Sequence, residues 1–129
     1  MKHLAYLTIA LLLMSCTGET FIDVDPTEFN QIISARTDIK TPEELAKAYY
    51  EFPDEASTRS FVVSAVPGNN GILHITIIHD NLDDDSLRSR KVQMTATRSG
   101  GVWKVHSIKR NWRCWEGRGH RSWGTAPCS

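Results

Sequence analysis

The stretch RSFVVSAVPGNNGILHITIIH, residues 59–79, decides the fold. Arg59 to Val66 and Ile72 to His79 are rich in β-branched and aromatic residues, and Pro67-Gly68-Asn69-Asn70-Gly71 between them is turn chemistry. Branched side chains suit a pleated surface and Gly, Asn and Pro supply the reversal, so the stretch predicts a hairpin. Downstream, Asn81 to Asp85 reads as an acidic loop. Arg88 to Arg98 then alternates, with Val92, Met94 and Ala96 on one face and Lys91, Gln93, Thr95 and Thr97 on the other, the period of a half-buried strand. Ser99-Gly100-Gly101 turns the chain into a fourth run, Val102 to Arg113. Four strands joined by short turns predict an antiparallel meander with one wet face and one that needs cover.

The cover is upstream. Asp25-Pro26-Thr27-Glu28 offers an N-cap, a proline at the first helical position and a glutamate at N3. Phe29, Ile32, Ile33 and Arg36 follow at helical spacing, which predicts a first helix over about 26–36. Thr41-Pro42-Glu43-Glu44 is a cleaner capping box, followed by the apolar stripe Leu45, Ala48, Tyr49 and Phe52 and a stop at Pro53-Asp54. The expected fold is therefore α+β: one or two N-terminal helices packed on a four-stranded antiparallel meander sheet, within a single domain over 26–129. The order of TPEELAKAYY, residues 41–50, and a sheet closing on Gly101-Val102-Trp103-Lys104-Val105 is similar to small lipoproteins of the nuclear transport factor 2-like type. That resemblance covers residues 41–106 and concerns layout, not activity.

The first residues are of another kind. Met1-Lys2-His3 is a short positive region, and the apolar run from Leu4 to Met14 ends at Ser15-Cys16. At ~1.5 Å per residue the run spans roughly 16 Å, well short of the ~30 Å hydrocarbon core, so a signal peptide over 1–15 fits better than a membrane-spanning helix. Leu13-Met14-Ser15-Cys16 resembles the lipobox of bacterial lipoproteins. The resemblance implies an acylated Cys16 as the new amino terminus, a lipidated tether over 16–25 and a place in the cell envelope. Thr17 in the next position implies the outer membrane rather than the inner. Several acyl chains at ~0.8 kcal/mol per buried methylene give stable anchoring, where one chain binds only marginally.

That reading changes the cysteine count. Three cysteines are odd for an exported chain, but with Cys16 given to lipid, Cys114 and Cys128 remain as a pair in an oxidising compartment. A bridge between them makes the tail WRCWEGRGHRSWGTAPCS, residues 112–129, a disulfide-closed C-terminal loop. The chain of 129 residues, 40% hydrophobic, has room for one modest core. Its charge is lopsided: residues 17–85 hold 14 acidic and 4 basic side chains, and residues 86–129 hold 1 acidic and 10 basic. Such asymmetry marks either an anion-binding half or two halves that neutralise each other across one domain. The mature chain is near neutral and expected outside the cytoplasm, which argues against nucleic acid as a ligand.

Cys114, His120 and Cys128 are zinc-ligand types, but C-x5-H-x7-C is no usual short knuckle spacing, and a disulfide competes for the thiols. With all three cysteines assigned, none remains as a nucleophile, and no G-x-S-x-G occurs. His74 and His79 are five apart, so a regular strand sends them to opposite faces. The acidic loop from Asp80 to Asp85 has an aspartate where a calcium loop needs glycine, and Lys91 where it needs glutamate. No metal or cofactor is expected. In the tail, Arg113, Arg118 and Arg121 alternate with Trp112, Trp115 and Trp123, a mix that stacks on sugar faces and pairs with anions; the same residues equally suit a stapled end that covers a thin core. Trp112-x-Cys114-x2-Gly117-Arg118-Gly119-His120-x2-Trp123-x4-Cys128 also resembles the C-terminal signature of a group of small exported bacterial proteins. It implies a recurring stapled element and brings no activity with it.

The leading expectation is a non-enzymatic, lipid-anchored envelope protein. It would bind an envelope protein or an anionic or glycan ligand through Arg113, Trp115, Arg118, His120, Arg121 and Trp123. The rivals are a hydrolase-type envelope enzyme with His120 as base and Arg118 as anion holder, and a purely structural envelope component.

Overall fold

The β-rich runs become strands close to their expected bounds in a computed structural model, which describes residues 18–50 and 60–129. The signal segment 1–15, Cys16, Phe52 and the Pro53-Asp54 stop lie outside the described residues. In chain order the elements are β1 (Ile22–Val24), α1 (Thr27–Ile33), α2 (Pro42–Tyr50), β2 (Phe61–Pro67), β3 (Leu73–His79), β4 (Leu87–Ser99) and β5 (Val102–Cys114). The fold is α+β, with two α-helices and one antiparallel sheet among the described residues, in the order β1-β5-β4-β3-β2.

The sheet has five strands, which corrects the expected four. Ile22, Asp23 and Val24, inside the stretch read as tether, pair with Arg110, Lys109 and Ile108 on the outer edge of β5. Three residues carry no alternation to detect, and only the neighbouring strand gives them their conformation. The β4–β5 hairpin turns at Gly100 and Gly101, with φ of 57° and 78°, a left-handed pair that glycine adopts without a Cβ clash.

Both helices form. Asp25 Oδ1 accepts from the Thr27 N–H at 2.9 Å at the start of α1, which closes at Ile33 rather than running on to Arg36. There the Ser34 hydroxyl donates to the Gln31 carbonyl at 3.0 Å, a local bond that competes with another helical turn. At α2 the capping box is realised. The Glu44 N–H donates to Thr41 Oγ1 at 3.1 Å, and Glu44 Oε2 accepts from the Thr41 N–H at 3.2 Å. Backbone donors from Lys40 and Thr41 hold the Glu44 carboxyl below its ordinary range.

Phe29, Ile33, Leu45 and Ala46 pack on Ile75, Ile77, Val92, Met94 and Ala96 to form the core. Register explains how β5 joins them. Thr95 faces Ser107 but Ala96 faces Val105, so His106 is an extra residue in a bulge. On one side of it Trp103 and Val105 face the core; on the other, Ile108 does, and Arg110 and Trp112 share its face. The bulge thus inverts the parity of the strand.

On the side of β1 toward the β4–β5 turn, α1 covers part of the edge of β5. Asn30 Nδ2 donates to the Val105 carbonyl at 2.7 Å, and its Oδ1 accepts from the Val105 N–H at 2.8 Å, so the amide imitates a neighbouring strand. Asn30→Ala strands both groups beside the core, and we expect a loss of about 1–3 kcal/mol in urea unfolding. An unchanged midpoint would show that water replaces the amide at no cost.

Candidate functional site

The tail is built as an extension of the sheet edge. After Cys114 the chain reverses and returns beside β5, where Trp112 and Gly124 exchange backbone hydrogen bonds at 2.9 and 3.0 Å. The Cys114 N–H also donates to the His120 carbonyl at 2.9 Å. The Cys114–Cys128 disulfide forms, with Cα atoms 5.6 Å apart. Gly119, at φ 142°, passes so close that a Cβ there would lie 2.8 Å from Cys114 Sγ, and only glycine fits. The ligand atoms of Cys114, His120 and Cys128 lie within 4.8 Å of one another, the set weighed for zinc. Both sulfurs are spent on each other.

Most of the expected ligand residues are engaged by the fold. Trp123 meets two cations, with Lys91 Nζ and the Arg113 guanidinium each 4.3 Å from its ring centroid. Arg113 also donates to Ser89 Oγ at 3.1 Å and faces Asp80 at 3.6 Å. Trp115 Nε1 donates to the Asp84 carbonyl at 2.8 Å, and Arg88 covers its ring. His120 sets its ring nitrogens 2.8 and 2.9 Å from the carbonyls of Ser122 and Ala126, and its neutral ring, with one N–H, donates to one of the two. Arg118 and Arg121 remain exposed. Arg121 meets Glu116 at 3.5 Å and Arg118 meets the Ser129 carbonyl at 3.5 Å, contacts too loose to hold either side chain.

The face expected to be wet is covered at this end. Lys91, only 7% exposed, donates to both carboxylate oxygens of Glu19 at 2.8 and 3.0 Å. That bond, helped by Asn111, holds the Glu19 carboxyl below its ordinary value. Burial alone would raise the Asp80 carboxyl, but the Ser89 hydroxyl and the charges of Arg88 and Arg113 outweigh it and keep it low. Both acids lie in the acidic part of the chain and their partners in the basic part, so here the lopsided charge is used for internal pairing. In the acidic loop, Asp84 Oδ1 accepts from the Ser86 and Leu87 N–H groups at 2.9 and 2.7 Å, which is turn-making geometry. Gly18, Glu19 and Thr20 form one wall of a groove of about 590 Å³, with Arg113, Arg121 and Trp123 across from them.

A second concavity lies on the helix side of the sheet. Tyr49 and Tyr50 at the end of α2 face Leu87, Arg90, Arg110 and Trp112 around a cleft of about 330 Å³. Other rings pack against its two tyrosines: Phe29 meets Tyr49 edge-on at 5.1 Å, Tyr49 meets Tyr50 at 5.5 Å, and Tyr50 meets Phe61 at 5.6 Å. Burial, with Tyr49 alongside, pushes the Tyr50 phenol up to about 12 against the opposing charges of Arg90 and Arg110. Burial also raises Tyr49, and burial with Arg90 nearby lowers His79. Among the described residues, neither Arg90 nor Arg110 has a carboxylate within 4.0 Å.

Reading the sequence did not single out this cleft. Arg90 was within reach, because stepping back by two along the face of Ala96, Met94 and Val92 arrives at it. Arg110 was not, because only the bulge at His106 brings it to the helix side. The chain matches no protein-family model, no curated protein and no solved structure.

Proposed function

We propose that this chain is a lipid-anchored protein of the bacterial cell envelope, held through Cys16, which acts by binding and not by catalysis. Its ligand is a small anion with an apolar body, taken up in the cleft between α2 and the sheet. The observation that carries this reading is the pair Arg90 and Arg110, without carboxylate partners among the described residues, set beside Tyr49, Tyr50 and Trp112. An aromatic floor with two guanidinium groups suits a carboxylate or sulfonate on a flat hydrocarbon frame, since arginine pairs bidentately with such anions and the rings bury the rest. Tyr50 keeps its proton at neutral pH, with its phenol raised to about 12, so it does not serve as a base. In the tail, the hydrolase alternative has its base, His120, turned onto the carbonyls of Ser122 and Ala126.

Titration with anilinonaphthalenesulfonate, an aromatic anion that brightens in apolar sites, tests the cleft. Arg90→Ala and Arg110→Ala should each weaken binding about tenfold, the worth of one lost charge-assisted contact. Arg98→Ala, at the far end of β4, should bind as the unaltered chain does. Equal affinity in all four proteins would overturn the reading. A second surface, Arg118 and Arg121 on the tail, suits an anionic or glycan group or an envelope partner, because both side chains are exposed and weakly held.

A further inference from the structure

We propose that the tail loop from Glu116 to Trp123 is a membrane-docking surface, which sets Arg118 and Arg121 against the phosphates of anionic phospholipid in the membrane that holds the anchor. The proposal rests on the reading of Cys16 as acylated. Its structural basis is where the described chain begins. Glu19 is tied to Lys91 at 2.8 Å, and the Thr20 carbonyl accepts from Asn111 Nδ2 at 3.0 Å. Gly18 is thereby placed in the wall of the groove that Arg121 and Trp123 also line. Only Thr17 separates Gly18 from Cys16, so the chain between groove and lipid is at most ~7 Å long.

A link that short limits how far the groove stands from the membrane. Acyl chains enter the hydrocarbon just beneath the headgroups, and ~7 Å of chain cannot hold the groove farther out than the headgroup layer and the water next to it. An anionic leaflet attracts each nearby arginine over a Debye length of about 8 Å; Arg121 lines the groove with Gly18, and Arg118 precedes it by three residues in the same exposed loop. A phosphate offers either guanidinium a bidentate partner, where Glu116 now offers Arg121 one exposed contact at 3.5 Å. The carboxylate facing the groove, Glu19, is already neutralised by Lys91, so it does not repel the surface. Trp115 and Trp123 are half-buried rings with polar edges, the kind of side chain that settles at a membrane interface.

The test uses the acylated protein, purified from membranes and reconstituted into vesicles of brominated phosphatidylcholine with or without brominated phosphatidylglycerol. Bromine quenches tryptophan at the bilayer surface, and Trp112, Trp115 and Trp123 all lie in or beside the tail. Phosphatidylglycerol should increase quenching about twofold or more, and Arg118→Glu with Arg121→Glu should abolish that increase although the variant floats equally well with the vesicles. Equal quenching of wild type and variant would overturn the docking surface and leave the anchor standing. A protein that neither floats nor carries acyl mass would overturn the anchor, and the docking with it.

Discussion

Replacing Cys114 and Cys128 together with alanine should lower the free energy of unfolding by about 3 kcal/mol, the chain-entropy value for a bridge closing a loop of some 15 residues. The bridged positions are 14 apart in sequence. The loop they close encloses little apolar material of its own: Cys114 is buried, while Trp123 is held mainly by stacking with Lys91 and Arg113. A few backbone bonds add to this, including Cys114 N–H to the His120 carbonyl and Ser129 N–H to the Arg118 carbonyl at 2.7 Å. Such contacts do not offset the entropy of ordering a glycine-containing loop unless its ends are tied. The check is urea unfolding of the oxidised protein against the double variant, with m compared as well as midpoint. An unchanged midpoint would mean that the tail unfolds separately from the sheet and contributes nothing to it. A lower midpoint with unchanged m would place the tail inside the cooperative unit.

Why the tail was legible as a staple and not as a site follows from what composition records. Two cysteines in an exported segment have one main chemical outcome, so the bridge could be anticipated once Cys16 was set aside. Arginine, tryptophan and histidine have several. Whether His120 faces a substrate or the carbonyls of Ser122 and Ala126 depends on how Gly117, Gly119 and Gly124 bend the chain. Spacing alone does not say. The sheet divides in the same way. The alternation of Val92, Met94 and Ala96 against Lys91, Gln93 and Thr95 carried β4 almost residue for residue, because burial imposes a period of two on a regular strand. One bulge residue, His106, breaks that period in β5: regular alternation sets Arg110 opposite Trp103, and the bulge brings the two to one face. β1 was illegible for a different reason: its three residues are a strand only because β5 leaves an edge open beside them.

Trp103→Ala should be the most damaging single substitution, at about 3–5 kcal/mol for removing a buried tryptophan from a close-packed core. Trp103 is 4% exposed, and its Nε1 donates to the Ile39 carbonyl at 3.0 Å. That bond ties the link between α1 and α2 to the sheet, and Ile39, itself 2% exposed, packs in the same core. Trp103→Phe separates the two roles. It keeps most of the apolar volume but leaves the Ile39 carbonyl unpaired, for an expected loss of about 1–3 kcal/mol. The consequence extends to the cleft, because the link from Ile39 to Thr41 sets where α2 starts and so where Tyr49 and Tyr50 stand over Arg90 and Arg110. Trp103→Phe should therefore weaken anilinonaphthalenesulfonate binding in conditions where the protein is still fully folded, although Trp103 does not line the cleft. Measuring stability by urea and affinity by titration on the same variant decides it. If stability falls and affinity holds, α2 is positioned by the packing of Leu45 and Ala46 alone, and the Trp103 to Ile39 bond is only a matter of stability.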